Sequence, residues 1–325
     1  MIDKKKIKTW SLVGARATVG MYALELVKKK PEMLILSSDV STSAGLDRFR
    51  KQHPNNYFEI GIAEQNLIGI AAGLASENLD VITTTFAPFQ TLRCCEQIKV
   101  NLSYMQQKVI MIGIASGLVQ GPLGYTHCCI EDIAILRSLP NITILSPSDS
   151  LETVKSIDAA LKNNQSTYIR ITGGTNNPIV YEEDYKFSIG DAVILREGKD
   201  IAIIATGTMV YESLEASKVL NESDINPTVI NIHTIKPIDK NKIIEIISSH
   251  KVIFTVEEHN IIGGLSSAVS EIIASSNIKC HQVPIGINDI YDKGGSYSFL
   301  KKKHGLYKDN IISKVKDVIL KKYKD

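Results

Sequence analysis

An acidic residue interrupts one of the most apolar stretches of the chain. Residues 57–66 read YFEIGIAEQN and lead into LIGIAAGLA, so Glu64 opens a helix-length segment that is nearly without polar residues. Burial of a carboxyl group favours its neutral form unless a partner is supplied, and this would suit Glu64 to proton transfer. The alternative is that Glu64 only balances the helix dipole in the first turn, and the spacing alone leaves both interpretations open.

Two aromatic residues and a histidine are further side chains whose types and positions could serve a binding site. Phe86 and Phe89 lie in TTFAPF, and Leu92 follows about one helical turn later. His127 comes shortly after the glycine-rich stretch GLVQGPLG, residues 117–124. Taken alone, the two phenylalanines are better explained by core packing, and the histidine by a surface or capping position.

These side chains can act together only if the chain presents them at one edge of a sheet. The predicted strands cover residues 33–38, 57–62, 81–86, 108–115, 142–146 and 167–172. The predicted helices between them cover 64–77, 89–104, 131–138 and 148–163, the last with Ser148 or Asp149 as N-cap. This alternation, with strands apolar on both faces, predicts an α/β fold with a doubly wound, mostly parallel sheet. The carboxyl end of the strand before Glu64 would then open toward the ligand crevice.

A second α/β pattern follows a break in the first. The segments GGTNNP (173–178) and YEEDYKF (181–187) have the composition of a linker. Apolar runs at 201–207, 228–234 and 252–259 then alternate with helical segments near 209–220 and 240–249 and after Gly263–Gly264. We therefore expect a first domain over residues 1–172, a linker over 173–189 and a second, smaller α/β domain over 190–325.

The composition is that of a soluble globular protein. Of the 325 residues, 44% are hydrophobic and 22% charged, and the net charge is +2. The lysines form short clusters without interleaved aromatic residues, so we expect no nucleic-acid partner. The longest apolar runs fall short of the ~20 residues that span a bilayer, so we expect no membrane partner and a cytoplasmic location. Five cysteines, two pairs of them adjacent, predict buried, reduced thiols.

Several blocks of the sequence together resemble the C-terminal half of a transketolase. The blocks are GIAEQNLIGIAAGLA (61–75), TTFAPF (84–89), GYTHCCIEDIAILRSLPNITILSPSD (124–149) and TVEEHNIIGGLSSAV (255–269). The resemblance runs over most of the chain with the blocks in the expected order. It implies a pyrimidine-binding domain followed by a C-terminal domain of an enzyme that depends on thiamine diphosphate and Mg²⁺.

The resemblance also implies roles for the residues singled out above. In the family, the glutamate that matches Glu64 bonds a ring nitrogen of the aminopyrimidine and promotes the tautomer that activates the cofactor. A carboxyl group in an apolar site suits this role, because it can share a proton with a weakly basic nitrogen. Phe86 and Phe89 match aromatic residues that pack on that ring. Leu92 stands where a tyrosine is common.

On the substrate side, the resemblance is mixed. His127 matches a histidine at the substrate end of the cleft, and Arg16 and Ser43 match an arginine and a serine that grip a phosphate. A guanidinium group suits bidentate oxyanion binding. The resemblance therefore implies binding of a sugar or a sugar phosphate, and leaves the identity of the donor and the acceptor open.

Four positions depart from the family pattern around the substrate. Cys128 replaces a glutamine or histidine, Leu123 an aspartate that reads a hydroxyl group, Gly173 a second arginine and Ala115 a histidine. Arg170 lies close by and could serve either a structural salt bridge or the site. We therefore expect a shifted substrate preference.

The motif that holds the metal and the diphosphate is absent from the sequence. In the family this motif is Gly-Asp-Gly followed some thirty residues later by asparagine, and Gly190-Asp191-Ala192 does not match it. The resemblance therefore implies a partner chain, the N-terminal transketolase subunit, and an α2β2 assembly in which association completes the site. The Glu257-Glu258-His259 triplet has metal-ligand residue types, but its family counterparts are structural, and we expect no metal site in this chain.

Three functions remain open at this point. The first is ketol transfer between a ketose and an aldehyde by the C-terminal subunit of a split transketolase. The second is a 2-oxoacid reaction, by the beta subunit of a 2-oxoacid dehydrogenase or an enzyme like deoxyxylulose-phosphate synthase. The third is a non-catalytic regulatory or assembly subunit, which the retained Glu64, Phe89 and His127 argue against.

Overall fold

A computed structural model describes residues 2–322, with the backbone alone at 321 and 322, and shows two α/β sheets. The first contains β1 (Leu34–Ser37), β2 (Tyr57–Glu59), β3 (Val81–Phe86), β4 (Val109–Ile114), β5 (Ile142–Leu145) and β6 (Ser166–Arg170). These six strands are parallel and lie in the order β5-β6-β4-β3-β1-β2. The predicted doubly wound, mostly parallel sheet is confirmed.

Helices cover both faces of this sheet. They are α1 (Lys4–Val13), α2 (Ala15–Lys29), α3 (Asp47–Gln52), α4 (Glu64–Ser76), α5 (Ala87–Thr91), α6 (Cys95–Gln97), α7 (Asp132–Arg137) and α8 (Ser150–Lys162). The single helix expected over 89–104 is wrong. The chain turns between α5 and α6 and then widens into a π-helical segment, Ile98–Tyr104, a geometry that often accompanies functional sites.

The second sheet is smaller, and one strand from its half of the chain joins the first sheet. The strands of this half are β7 (Val193–Arg196), β8 (Ile201–Ala205), β9 (Pro227–Asn231), β10 (Thr234–Lys236), β11 (Val252–Asn260) and β12 (His281–Ile287). The second sheet has the order β12-β11-β8-β9-β7, whereas β10 pairs antiparallel with β5. The helices are α9 (Met209–Asn221), α10 (Lys240–Ser249), α11 (Leu265–Ala274), α12 (Tyr297–Lys303) and α13 (Lys308–Lys322). None of the helices within residues 2–322 could span a bilayer.

The alternation of side chains along the central strands builds a core on each face of the first sheet. On β4, Ile110 belongs to a cluster with Val19 of α2, whereas its neighbour Met111 belongs to a cluster with Leu67 and Ile68 of α4. Both neighbours on β4 are almost completely buried. Strand β4, which leads to the loop with His127, is therefore held by packing from both sides.

The predicted linker is ordered by contacts with both halves of the chain. Asp149 caps α8 by accepting a hydrogen bond from the Glu152 amide at 2.8 Å, and its other oxygen accepts from the Tyr181 amide at 3.0 Å. The hydroxyl group of Tyr185 donates to Glu152 at 2.5 Å, and the Asn231 amide group donates to the same carboxylate oxygen at 2.9 Å. The segment has neither helix nor strand, yet these bonds fix its path.

Helix α4 is buried on one side only, although its sequence is almost entirely apolar. Leu67 and Ile68 are inaccessible, whereas Ile70 is 36% exposed and Ile62, just before the helix, is 76% exposed. A Cβ atom added at Gly69 or Gly73 would meet nothing within 4 Å. In the single chain, α4 therefore exposes an apolar face to solvent, and its two glycines leave room there for another chain to approach closely.

Candidate functional site

The start of α4 is fixed by the end of the neighbouring strand β1. The Ser38 hydroxyl group donates to the Gly61 carbonyl oxygen, and the Ala63 amide donates to the Ser38 hydroxyl at 3.3 Å. Gly61 has φ of 75°, a left-handed conformation that favours glycine. The chain thus turns from β2 into the helix at a defined place, and Glu64 is the first helical residue.

Glu64 is buried and has a cationic partner that the sequence analysis did not identify. It is 3% exposed, and Nη1 of Arg93 donates a hydrogen bond to its Oε2 at 2.7 Å. The guanidinium carbon of Arg93 lies 3.9 Å from the ring centroid of Phe89, and the Arg93 side chain is 40% exposed. A planar cation therefore bridges the buried acid and an aromatic face, in the geometry of a charge-assisted hydrogen bond and a cation–π contact.

Phe86, Phe89 and His127 form one aromatic cluster beside this ion pair. Phe86 ends β3, and Phe89 lies in α5, which has Pro88 in its first turn. The His127 ring lies 5.2 Å from the Phe89 ring and 6.4 Å from the Phe86 ring, with edge-to-face geometry in both contacts. The structure therefore brings together the acid, the two aromatic residues and the histidine that the sequence separates by more than sixty positions.

The chain leaves β4 through a strained residue and enters the loop that carries His127. Ala115 has φ of 53°, which is unusual for a residue with a Cβ atom and costs on the order of 1 kcal/mol. Ser116 then bonds across to the chain just after β6, where its hydroxyl group lies 2.7 Å from that of Thr172. The His127 ring is oriented by Thr126, whose hydroxyl oxygen lies 3.0 Å from Nδ1.

Arg16 and Ser43 line a cavity of about 220 Å³ that does not include Glu64, Phe89 or His127. Burial lowers the pKa of Arg16 from its ordinary value, which still leaves the guanidinium group charged at neutral pH. The cavity is also lined by Gly45 and by residues 174 and 175. A half-buried arginine beside a hydroxyl group is suited to an oxyanion, so the structure brings these two predicted residues together as a pair.

The remaining predicted positions lie at the edges of these two sites. Leu92 is 40% exposed, one residue before Arg93, and Leu123 is 55% exposed on the loop before His127. Cys128 is 3% exposed, and burial raises the pKa of its thiol to about 11, which makes it an unreactive thiol at neutral pH. Within residues 2–322, none of the five cysteines forms a disulfide.

Arg170 serves as an internal structural cation. Its Nε donates to both carboxylate oxygens of Asp132, at 3.1 and 2.8 Å, and its Nη2 donates to the carbonyl oxygens of Cys129 and Glu258. Arg170 and Asp132 are almost inaccessible. Of its two possible roles, the salt bridge is the one that the contacts support.

The side chains of the Glu257-Glu258-His259 triplet are engaged by other groups of the chain. Glu257 accepts hydrogen bonds from the first amides of α11, Leu265 and Ser266, both at 2.7 Å. Burial raises the pKa of Glu257 to about 7 and lowers that of His259 to about 4. In the described part of the chain, no cluster of three or more His, Cys, Asp or Glu side chains could hold a metal ion.

A cavity larger than the one beside Arg16 is lined by none of the candidate site residues. A cavity of about 600 Å³ lies between the second sheet and α13, lined by residues that include Lys199, Asp224 and Ile319. It lacks aromatic residues and buried acids, whereas the small region around Glu64 combines an acid, a cation and aromatic faces. This cavity is a surface groove with exposed lysines and aspartates, so it has no group that excludes water from a reaction. The residues around Glu64 are therefore the better candidate for a functional site.

Arg93 is the site residue that sequence reasoning missed. It lies four positions after Phe89, the spacing at which helical side chains meet, and it is the only basic residue between Leu92 and Ile98. This spacing predicts the contact with Phe89. The bond to Glu64, 29 positions earlier, depends on the tertiary fold.

Comparisons with known proteins agree with the resemblance seen in the sequence. The family described as transketolase, pyrimidine binding domain, matches residues 13–175, and the family described as transketolase, C-terminal domain, matches residues 190–311. The chain is 36% identical over 311 residues to a putative transketolase C-terminal section from Methanocaldococcus jannaschii, covering 95% of this chain and 97% of that one.

Two further comparisons involve transketolases divided between chains. The chain is 37% identical over 295 residues to one of the subunits of the apulose-4-phosphate transketolase of Actinobacillus succinogenes, covering 89% of this chain and 93% of the relative. Its fold is similar to a solved split-gene transketolase described as an inactive beta4 tetramer, with a TM-score of 0.85 and 32% identity, covering 94% and 97% of the two chains. The chain thus spans nearly the whole length of these relatives.

Proposed function

Since this chain belongs to the transketolase family and corresponds to its C-terminal section, we propose that it is the C-terminal subunit of an enzyme completed by a second chain. The reaction is the transfer of a two-carbon ketol unit from a ketose donor to an aldehyde acceptor, with thiamine diphosphate as cofactor. The observation that carries the proposal is the buried Glu64 at the start of α4, next to Phe89 and His127.

The residues around Glu64 fit an aminopyrimidine ring. A buried carboxylate can bond a ring nitrogen, and the Phe86 and Phe89 rings offer an apolar aromatic surface for a planar group. When bound, thiamine diphosphate supplies the carbon nucleophile that attacks the ketose carbonyl group. We assign the exchange of a proton with the ring nitrogen to Oε1 of Glu64, because Oε2 accepts the bond from Arg93. Leu92 forms the outer wall.

Arg93 has two effects on this arrangement. Its positive charge balances the buried carboxylate, which would otherwise lie in a poorly hydrated place. Its guanidinium plane also lies against Phe89, so it limits the position of the ring and of the acid at once. Arg93 is therefore the residue that orients Glu64 toward its ligand.

His127 and the Arg16–Ser43 cavity are assigned to the substrate, a sugar or a sugar phosphate. His127 lies against Phe89, where it can bond to sugar oxygens and exchange a proton with them. Arg16 and Ser43 bind the phosphate end of a phosphorylated sugar. Leu123 stands where the family has an aspartate that binds a hydroxyl group of the sugar, and Gly173 stands where it has a second arginine. The preferred sugar therefore differs from that of ordinary transketolases.

The phosphate assignment has its own test. Arg16→Ala should raise the KM for a phosphorylated donor by about 10- to 100-fold, the loss expected for a charge-assisted hydrogen bond, and leave the KM for the unphosphorylated sugar unchanged. Arg48→Ala, on the exposed side of α3, is the matched control and should change neither. An equal effect of Arg16→Ala on both sugars would contradict the assignment.

The partner is an N-terminal transketolase subunit that holds Mg²⁺ and the diphosphate, and two copies of each chain form an α2β2 assembly. The open face of α4, with Gly69, Ile70 and Gly73, supports this proposal, because apolar surface of this kind is stabilised by association. The proposal also includes a division of the chain into a first domain (1–172), a linker (173–189) and a second domain (190–325), and a cytoplasmic location.

Reconstitution of the two chains tests the function directly. The chain should be inactive alone, and the pair should transfer the ketol unit of a ketose to an aldehyde only with thiamine diphosphate and Mg²⁺. Turnover of sugar by this chain without a partner, or by the pair without thiamine diphosphate, would overturn the proposal. Release of labelled carbon dioxide from pyruvate would instead favour the 2-oxoacid reaction, and full activity of Glu64→Gln would favour a non-catalytic subunit.

A further inference from the structure

The loop that carries His127 is a closed unit. Gly117 and Cys129 exchange two backbone hydrogen bonds, of 2.8 and 2.9 Å, which join the two ends of the segment 117–129. Within it, the His127 amide donates to the Gly124 carbonyl oxygen at 3.0 Å. Whatever holds the body of this loop therefore also sets the position of His127.

Glu258 of β11, in the second sheet, holds the beginning of the loop. It is 2% exposed, and its Oε1 accepts a hydrogen bond from the Leu118 amide at 2.9 Å. Its Oε2 accepts from the hydroxyl groups of Thr208 at 3.0 Å and Tyr297 at 2.7 Å. A carboxylate is costly to bury unless several donors surround it, and here the donors come from three separate segments of the chain.

The fit between Glu258 and the loop is close. A Cβ atom at Gly117 would lie 2.3 Å from Oε1 of Glu258, so a residue with a side chain could not stand there without displacing the carboxylate. Gly117 also has φ of 68°, which favours glycine. The backbone thus approaches the acid as closely as glycine permits.

A second contact from the same half of the chain holds the middle of the loop. The Gly295 amide donates to the Gly121 carbonyl oxygen at 3.0 Å, and a Cβ atom at Gly121 would lie 2.4 Å from the Gly295 carbonyl oxygen. The Tyr125 hydroxyl group lies 3.0 Å from Nε2 of His304. Both halves of the loop therefore rest on residues from the second part of the chain.

We propose that Glu258 is a positioning residue for the reaction, which fixes the loop 117–129 and thereby the place of His127 against Phe89. The inference rests on the function proposed above and gives the C-terminal half of the chain a part in catalysis. A side chain held about 1 Å from its productive position can lose roughly 100-fold in rate. A methionine at this position would keep the approximate length of the side chain but would offer no oxygen to the Leu118 amide, so the bond to the loop would be lost.

The test is Glu258→Met in the full chain, measured in two ways. Hydrogen exchange of the isolated chain should show amides of residues 117–129 exchanging at least about 10-fold faster, with α2 and α8 unchanged. In the reconstituted complex, kcat/KM for the ketose should fall about 10- to 100-fold, while the affinity for thiamine diphosphate stays within about twofold. Gly121→Ala, which disrupts the second contact, should give the same pattern and keeps the test open if Glu258→Met does not fold.

Glu257→Met is the matched control, because this neighbouring residue on β11 bonds to α11 and not to the loop. It should leave both the exchange of residues 117–129 and kcat/KM within about twofold. Unchanged loop exchange in Glu258→Met, or equal losses in both glutamate variants, would overturn the inference. Because the exchange is measured without cofactor or partner, its result stands apart from whether the complex proves to be a transketolase.

Discussion

Replacement of Glu64 by glutamine should separate an effect on catalysis from an effect on stability. Glutamine has the shape of glutamate and can accept a hydrogen bond, but it cannot exchange a proton at neutral pH. Proton transfer by a positioned side chain contributes roughly 10²- to 10⁴-fold to a rate. We therefore expect the reconstituted complex to lose ketol transfer by about that factor in Glu64→Gln, with the assembly intact.

The cost in stability should be small, and the ion pair explains why. The Glu64 side chain is 4% exposed and that of Arg93 is 40% exposed, so in Glu64→Gln the abandoned charge is one that water already reaches. We expect a loss of about 1 kcal/mol, from the weakened bond and the missing acid in the first turn of α4. In Arg93→Gln the abandoned charge is the buried carboxylate, which should cost more, about 2 kcal/mol.

Urea unfolding of the isolated chain and steady-state kinetics of the complex measure the two effects. Glu77→Gln, just after the other end of α4, is the control and should leave both unchanged, because this residue is exposed. The reasoning fails if Glu64→Gln keeps more than about a tenth of the activity in an intact complex. It also fails if Arg93→Gln destabilises the chain less than Glu64→Gln does.

Other parts of the structure lead to three further predictions. Arg170→Met leaves Asp132 buried without its cation, so it should cost about 3–5 kcal/mol in urea unfolding, and Asp132→Asn in the same chain should recover part of the loss. His259 has a folded-state pKa of about 4, because burial disfavours its charged form, while the unfolded chain takes up a proton near 6.5. The contribution of His259 to stability should therefore fall as pH drops from 6.5 to 4, whereas that of Glu257, whose pKa is raised, should grow. Over this range the unfolding free energy of His259→Gln should change by about 3 kcal/mol in the stabilising direction relative to that of the parent chain. Ile70→Asp should abolish association with the partner subunit in analytical ultracentrifugation. The circular dichroism spectrum should not change, because Ile70 already lies on the open face of α4. An unchanged sedimentation coefficient of the complex would show that α4 is not part of the proposed interface.

The parts of the fold that sequence predicts best are those governed by local patterns. The six strands of the first sheet lie where apolar runs stand between helical segments, and Asp149 caps α8 as its position before the helix indicates. The strands β7, β10 and β12 are not indicated by such patterns. All three are edge strands, β7 and β10 are short, and β10 pairs with a strand far earlier in the chain.

The candidate site could be predicted only in part for the same reason. Glu64, Phe89 and His127 stand out because the blocks that contain them resemble a family. Their spacing alone favours core packing for Phe89 and a surface or capping position for His127. The bond between Arg93 and Glu64 depends on how α4 and the end of α5 pack, which no local pattern reports. The contact between Glu258 and the loop spans 140 positions and joins the two halves of the chain.

The short strand β10 means that the two halves of this protein are not separable pieces. A fragment that stops at residue 172 would leave β5 with unpaired backbone amide and carbonyl groups along one edge. Such an exposed edge favours pairing with a strand of another chain.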